Sequence, residues 1–156
     1  MSTWIGDVIT LPTWQHKTGF EKWSATPPLT ANQQLVLNAL LAAGAPLSAY
    51  AILERLDGGQ IRAPLQVYRA LDKLIGFGLV HRIESLNAFI PCEHRGDHPL
   101  QPVAFAICDR CGQVAEFVEP SVERGLKRWS RGHAFKTERV TVEMRGLCEA
   151  CSGAVK

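Results

Sequence analysis

Helical periodicity opens near Gln33, where Val36, Ala39, Leu40 and Ala43 recur at the i, i+3, i+4, i+7 spacing of one helix face. The pattern stops at Gly44-Ala45-Pro46. Ser48 is then a suitable N-cap for a short helix carrying Ile52, Leu53 and Leu56, which Gly58-Gly59 ends. A third helix starts at Pro64, whose missing N–H costs nothing in a first turn. Its apolar stripe is Val67, Ala70, Leu71 and Leu74, and Gly76 and Gly78 close it. Arg69 falls opposite that stripe with Gln66 and Lys73 beside it, while Tyr68 and Ile75 sit on its shoulder. Residues 79–83 and 88–92 flank the turn residues Glu84-Ser85-Leu86-Asn87, a β-hairpin pattern. Three short helices and a hairpin predict a winged helix-turn-helix whose third helix reads a DNA major groove.

Beyond the hairpin the pattern changes. Residues 93–102 are rich in polar residues, Gly and Pro and read as a linker. Short apolar strands follow at 103–107 and 113–118. Glu119-Pro120 opens a helix expected to turn Val122, Leu126 and Trp129 inward. Residues 138–144 alternate Val140, Val142 and Met144 against Arg139, Thr141 and Glu143, a further strand. The expected fold class is α+β, an N-terminal winged helix-turn-helix followed by a small α/β dimerisation domain. The domain reading is an arm at 1–28 carrying Trp4, Trp14 and Trp23, a winged helix at 29–92, the linker, and a zinc-containing unit at 103–156.

Composition narrows the function classes. Hydrophobic residues make 46% of the chain and charged residues 21%, the balance of a soluble globular protein. A net charge of +2 means that nucleic-acid binding must come from a local patch. No apolar run approaches the roughly 18 residues of a membrane helix, so no membrane partner is expected. Asp7 and two tryptophans stand where a secretory signal would be basic and then apolar. A cytoplasmic location with reduced thiols is therefore expected, where CxxC pairs read as metal ligands before disulfides.

Two such pairs are present, Cys108-Asp109-Arg110-Cys111 and Cys148-Glu149-Ala150-Cys151, separated by residues 112–147. Each CxxC turn aims two sulfurs at one centre, and four thiolates close a tetrahedral zinc shell with no open position. A unit of about 50 residues is insecure on its core alone. Structural zinc, on the order of 10 kcal/mol of folding energy, would dominate its stability.

The fifth cysteine points to a second constellation. If Ile83 pairs with Ala88 across the turn, His81 pairs with Ile90, and Cys92 falls on the same face as His81. His94 and His98 follow in the linker. Glu116 shares strand parity with Val114 and Val118, an expensive place for an unpaired carboxylate. One metal held by His81, Cys92, one linker histidine and Glu116 accounts for all four. Alternatives are a solvated wing histidine, a buried apolar cysteine and solvated linker histidines. A thiol in the set favours zinc over ferrous iron or manganese.

Several of these segments resemble one family. Val67-Tyr68-Arg69-Ala70-Leu71 and the run from Gly78 to Ser85 look like the recognition helix and wing of the ferric uptake regulator family. The run from Phe105 to Gly112 and the closing Cys148–Cys151 pair resemble its dimerisation domain, and His81 to Asn87 with Cys92 resembles its zinc uptake regulator branch. The resemblance implies a homodimeric, metal-dependent repressor of double-stranded operator DNA with two zinc ions per subunit. Structural zinc would fall to Cys108, Cys111, Cys148 and Cys151, and regulatory zinc to His81, Cys92, His98 and Glu116, with His94 the other linker candidate. Tyr68 and Arg69 would meet DNA bases, with Gln66 and Lys73 on the same helix face; Arg62, Lys73 and Arg82 would serve phosphates. The chain departs from the family near Asn32-Gln33-Gln34, where an arginine is usual, and at Val140, where the iron branch has a histidine. An iron- or peroxide-sensing regulator and a non-regulatory zinc-ribbon interaction module stay open as alternatives. No nucleophile–base set is evident, so an enzyme is not expected.

Overall fold

The computed structural model describes residues 28–56, 58–93 and 103–153. The tryptophan-bearing arm and the linker, with His94 and His98, lie outside the described residues. The element order is α1 (Ala31–Ala43), α2 (Ala49–Arg55), α3 (Pro64–Gly76), β1 (Val80–Ile83), β2 (Ala88–Pro91), β3 (Val103–Cys108), β4 (Val114–Phe117), α4 (Pro120–Gly132), β5 (Thr141–Gly146) and α5 (Glu149–Ser152).

The three N-terminal helices form as their periodicity predicts. α1 starts two residues before the first predicted position because Thr30 and Gln33 close a capping box. The Gln33 amide donates to Thr30 Oγ1 at 3.4 Å, and the Thr30 amide donates to Gln33 Oε1 at 2.9 Å. Ser48 caps α2, its Oγ accepting from the Ala51 amide at 3.1 Å. The stripe of α3 is fully inside: Val67, Ala70, Leu71 and Leu74 are all buried. They join Val36, Leu37, Leu40, Ile52, Ile61, Val80 and Phe89 in one apolar cluster.

β1 and β2 pair antiparallel with His81 opposite Ile90 and Ile83 opposite Ala88, the register expected from the turn. The hairpin buries apolar residues on both faces, and every residue of β2 is buried. On one face Val80 and Phe89 close the helical core. On the other Ile83 and Ile90 enter a second cluster with Val103, Phe105, Ile107 and Val114. The hairpin is thus the middle layer between helices and a C-terminal sheet. Within the described residues, that second cluster is where the two halves of the chain pack.

The C-terminal sheet has strand order β4-β3-β5, with β3–β4 antiparallel and β3–β5 parallel. Two features differ from the sequence expectation. The last strand runs over 141–146 rather than 138–144, because its pairing with β3 sets Thr141 opposite Val103 and Gly146 opposite Cys108. Residues 138–140 have no partner along β3. Val122, Leu126 and Trp129 of α4 do not turn inward: they are exposed, and no residue of α4 is buried. The hairpin covers the face of the sheet that carries Phe105, and the apolar stripe of α4 stays exposed.

Candidate metal centres and nucleic-acid interface

The four paired cysteines converge. Cys108 ends β3, Cys111 follows in the next turn, Cys148 caps α5 and Cys151 lies within it. Gly112 and Gly153 take φ of 73° and 57° just beyond the two turns, a conformation that glycine adopts without steric cost. The four sulfurs lie within 4.8 Å of one another, and Cys111 Sγ is 3.7 Å from Cys148 Sγ. A tetrahedral zinc with bonds of about 2.3 Å holds its sulfurs about 3.8 Å apart, so the set fits. The Cys148 amide donates to Cys108 Sγ at 3.3 Å and, with the Cys111 and Arg110 amides, holds that thiol at about 6. The Cys148 and Cys111 thiols push Cys151 up to about 12. Crowded thiols cannot all ionise unaided; a divalent cation lets them. The knuckles are braced as well. Arg110 Nη1 donates to the Cys151 carbonyl at 2.6 Å, and Arg145 grips Asp109 Oδ1 through Nε at 2.8 Å and Nη2 at 2.6 Å.

The second constellation also assembles, from different elements. β1 supplies His81, the residue after β2 supplies Cys92, and β4 supplies Glu116; their donor atoms lie within 4.8 Å of one another. Glu116 Oε1 is 3.7 Å from His81 Nε2 and 3.7 Å from Cys92 Sγ. Its other oxygen accepts from the Glu93 amide at 3.1 Å, which fixes the carboxylate plane. Glu116 and Cys92 are buried, and the His81 ring packs 5.6 Å from the Phe105 ring. Donors about 2.0–2.3 Å from a tetrahedral ion stand roughly 3.4–3.6 Å apart, close to these separations. Imidazole, thiolate and carboxylate together suit zinc. The three donors leave one position of a tetrahedron to another group, and the expected one, His98, lies outside the described residues.

The exposed side of α3 presents Arg69 and Lys73, with Arg62 exposed just before the helix. Tyr68 is half-buried, its ring edge-on to Phe89 at 6.3 Å. Gln66 is engaged in a way that the sequence reading missed: its Oε1 accepts from the Arg62 amide at 2.8 Å and the Ala63 amide at 3.2 Å. Ala63 has no side chain able to cap α3, and Gln66 does so from inside the helix. Only its NH2 remains for a ligand.

Against this geometry stand the relatives. Residues 30–145 match the ferric uptake regulator family. The chain belongs to that family. The match runs from the capping residue of α1 into β5, so it holds His81, Cys92, Glu116 and the first CxxC pair, while the second pair lies beyond it. Within the family the chain is similar to the zinc uptake regulation protein of Escherichia coli (strain K12), 37% identical over 124 residues that cover 79% of this chain and 72% of that protein. Among solved structures it resembles holo XcZur, with 36% identity, a TM-score of 0.75, and coverage of 83% of this chain and 90% of the other. It is as close to a zinc uptake regulator complexed with zinc and DNA: 35% identity, TM-score 0.75, 81% and 84% covered.

Proposed function

We propose that this chain is a zinc-responsive transcriptional repressor that binds operator DNA as a homodimer when zinc occupies the site between hairpin and sheet. The observation that carries the reading is the convergence of His81 and Cys92 from the hairpin with Glu116 from the C-terminal sheet. The similarity to zinc uptake regulators, one of them complexed with zinc and DNA, supports the same reading. The domain boundaries follow: winged helix 29–92, linker 93–102, dimerisation unit 103–156. Two zinc ions per subunit are proposed. One is structural on Cys108, Cys111, Cys148 and Cys151, and one is regulatory on His81, Cys92, Glu116 and His98 of the linker.

Binding at the regulatory site requires the Cys92 thiolate and a bare His81 nitrogen. A zinc ion there would join hairpin and sheet by bonds instead of by packing alone. The hairpin carries α3 with it through Val80 and Phe89, so fixing the hairpin on the sheet fixes the recognition helix on the dimerisation unit. In a homodimer this sets the separation of two recognition helices, to be matched by half-sites about one helical turn apart or a multiple. Arg69 is suited to a bidentate guanine contact and Tyr68 to a thymine methyl, with Lys73, Arg62 and Arg82 on phosphates. The exposed Val122, Leu126 and Trp129 on α4 and Met144 on β5 supply apolar surface for the dimer. The reading is of a regulator and not an enzyme. Among the described residues no helix is long and apolar enough to cross a membrane, and a cytoplasmic site of action is proposed.

Cys92→Ala tests the function directly. Zinc-dependent operator binding should vanish while structural zinc and the dimer persist. An unchanged zinc response would remove the sensing role from this site.

A further inference from the structure

One polar contact between hairpin and sheet involves neither metal centre. The Glu143 carboxylate on β5 accepts the Glu84 amide on Oε1 at 2.6 Å and the Ser85 amide on Oε2 at 3.0 Å. Both amides belong to the hairpin turn, nearly sixty residues away in sequence. Burial pushes this carboxyl up, but the Ser85 hydroxyl and amide, the Glu84 amide and Arg145 outweigh it and hold it below the usual carboxylate range.

The position of Glu143 gives this contact its meaning. Phe105 of β3 stands opposite Glu116 of β4 on one side and opposite Glu143 of β5 on the other. One row across one sheet face therefore reads Glu116, Phe105, Glu143. The hairpin lies along that row. Its base meets Glu116 through Cys92 and the Glu93 amide, His81 packs on Phe105, and its tip meets Glu143. The apolar contact of Ile83 and Ile90 between these ends is non-directional. Two carboxylates at opposite ends define a direction.

We infer that Glu143 is a positioning residue, a metal-independent tie that holds the hairpin tip on the sheet and so sets how much zinc the His81–Cys92–Glu116 site needs. The inference rests on the zinc-sensing reading above. With the tip held, a larger fraction of metal-free molecules already has the regulatory donors together. The apparent dissociation constant is the intrinsic one divided by that fraction. Two amide bonds to a partly exposed carboxylate are charge-assisted but solvent-screened, so their loss should raise the zinc requirement by roughly 5- to 20-fold.

The test uses the full chain with its structural zinc in place and a duplex selected from random sequence on the zinc-loaded protein. Three quantities are read: the free zinc giving half-maximal duplex binding, the duplex affinity at saturating zinc, and amide exchange at Glu84 and Ser85 without regulatory zinc. Glu143→Ala should need 5- to 20-fold more zinc and exchange both amides faster, with saturated affinity within about twofold of the parent. Glu143→Gln, which keeps one acceptor oxygen, should fall between. Unchanged zinc response and exchange would overturn the tie. So would a saturated affinity that falls as far as the zinc response, since Glu143 would then act on the bound state generally. Should Glu143→Ala lose its structural zinc, Glu143→Gln carries the test, with a smaller rise in zinc requirement and faster exchange expected and unchanged values of both overturning the tie. If the parent does not respond to zinc at all, the sensing reading fails, while the exchange data still decide whether Glu143 holds the tip.

Discussion

Truncating Phe105 should loosen the hairpin from the sheet while leaving the helical cluster intact. Phe105 is 1% exposed and sits at the centre of the interdomain cluster, under the His81 ring. Burying a phenylalanine removes about 150–250 Å² from water, at about 25 cal/mol per Å². Alanine keeps part of that area and leaves a cavity, so Phe105→Ala should cost about 3–5 kcal/mol. The loss divides between the sheet, through Val103, Ile107 and Val114, and the docked hairpin, through Ile83 and Ile90. If about 1–2 kcal/mol falls on docking, the zinc needed for duplex binding should rise roughly 5- to 30-fold. Amide exchange should quicken in β1, β2 and the sheet but not in α1 to α3. Leu40→Ala is the control: it costs about 2–5 kcal/mol in the helical cluster, which contains no sheet residue. It should lower the stability of the winged helix and leave the zinc midpoint of the folded protein in place. An unchanged midpoint in Phe105→Ala, or an equal shift in Leu40→Ala, would remove the docking role from Phe105.

Arg69→Ala should cost about 1–3 kcal/mol of duplex affinity and relax specificity at one base position, as a selection on randomised duplexes would show. Equal weakening on all sequences would assign Arg69 to phosphate instead. Cys111→Ala should lose structural zinc and unfold or monomerise the protein, readable by metal stoichiometry and calorimetry; a stable zinc-free dimer would contradict a structural site. Leu126→Asp places a charge on the exposed stripe of α4 and should shift sedimentation to the monomer while the single-chain fold persists, since Leu126 is not buried within it.

How much of this was legible in the chain depends on the reach of each signal. Period-two parity put His81 and Cys92 on one hairpin face and Glu116 beside Val114, and the observed registers agree. Period 3.6 recovered the buried stripe of α3. Parity and period describe one element at a time, and the corrections arise where a second element decides. The stripe of α4 was legible as apolar, but not that the hairpin would take the Phe105 face of the sheet and leave the stripe exposed. The limits of β5 are set by β3, more than thirty residues earlier. Gln66 reads as a recognition-face residue because its neighbours do, whereas its carbonyl oxygen serves the helix start.

Glu143 was the hardest to see and the hairpin explains why. In the alternating run 138–144 it takes the place of a solvent-facing polar residue. That inference assumes that the opposite parity, Val142 and Met144, faces the core. In the molecule Met144 is exposed and Glu143 shares its face with Phe105 and the hairpin. The apolar parity of β5 thus marks the side away from the hairpin, where Met144 is exposed, and the polar parity marks the side that meets it. A hairpin that buries apolar residues on both faces makes this inversion possible, because it supplies the greasy contact itself and meets hydrogen-bond acceptors at its two ends. Those acceptors are Glu116 and Glu143. Among the described residues Glu116 has thiol and imidazole donors beside it and Glu143 does not, so of two carboxylates in one row one could share a metal, while the other accepts the two amides of the turn.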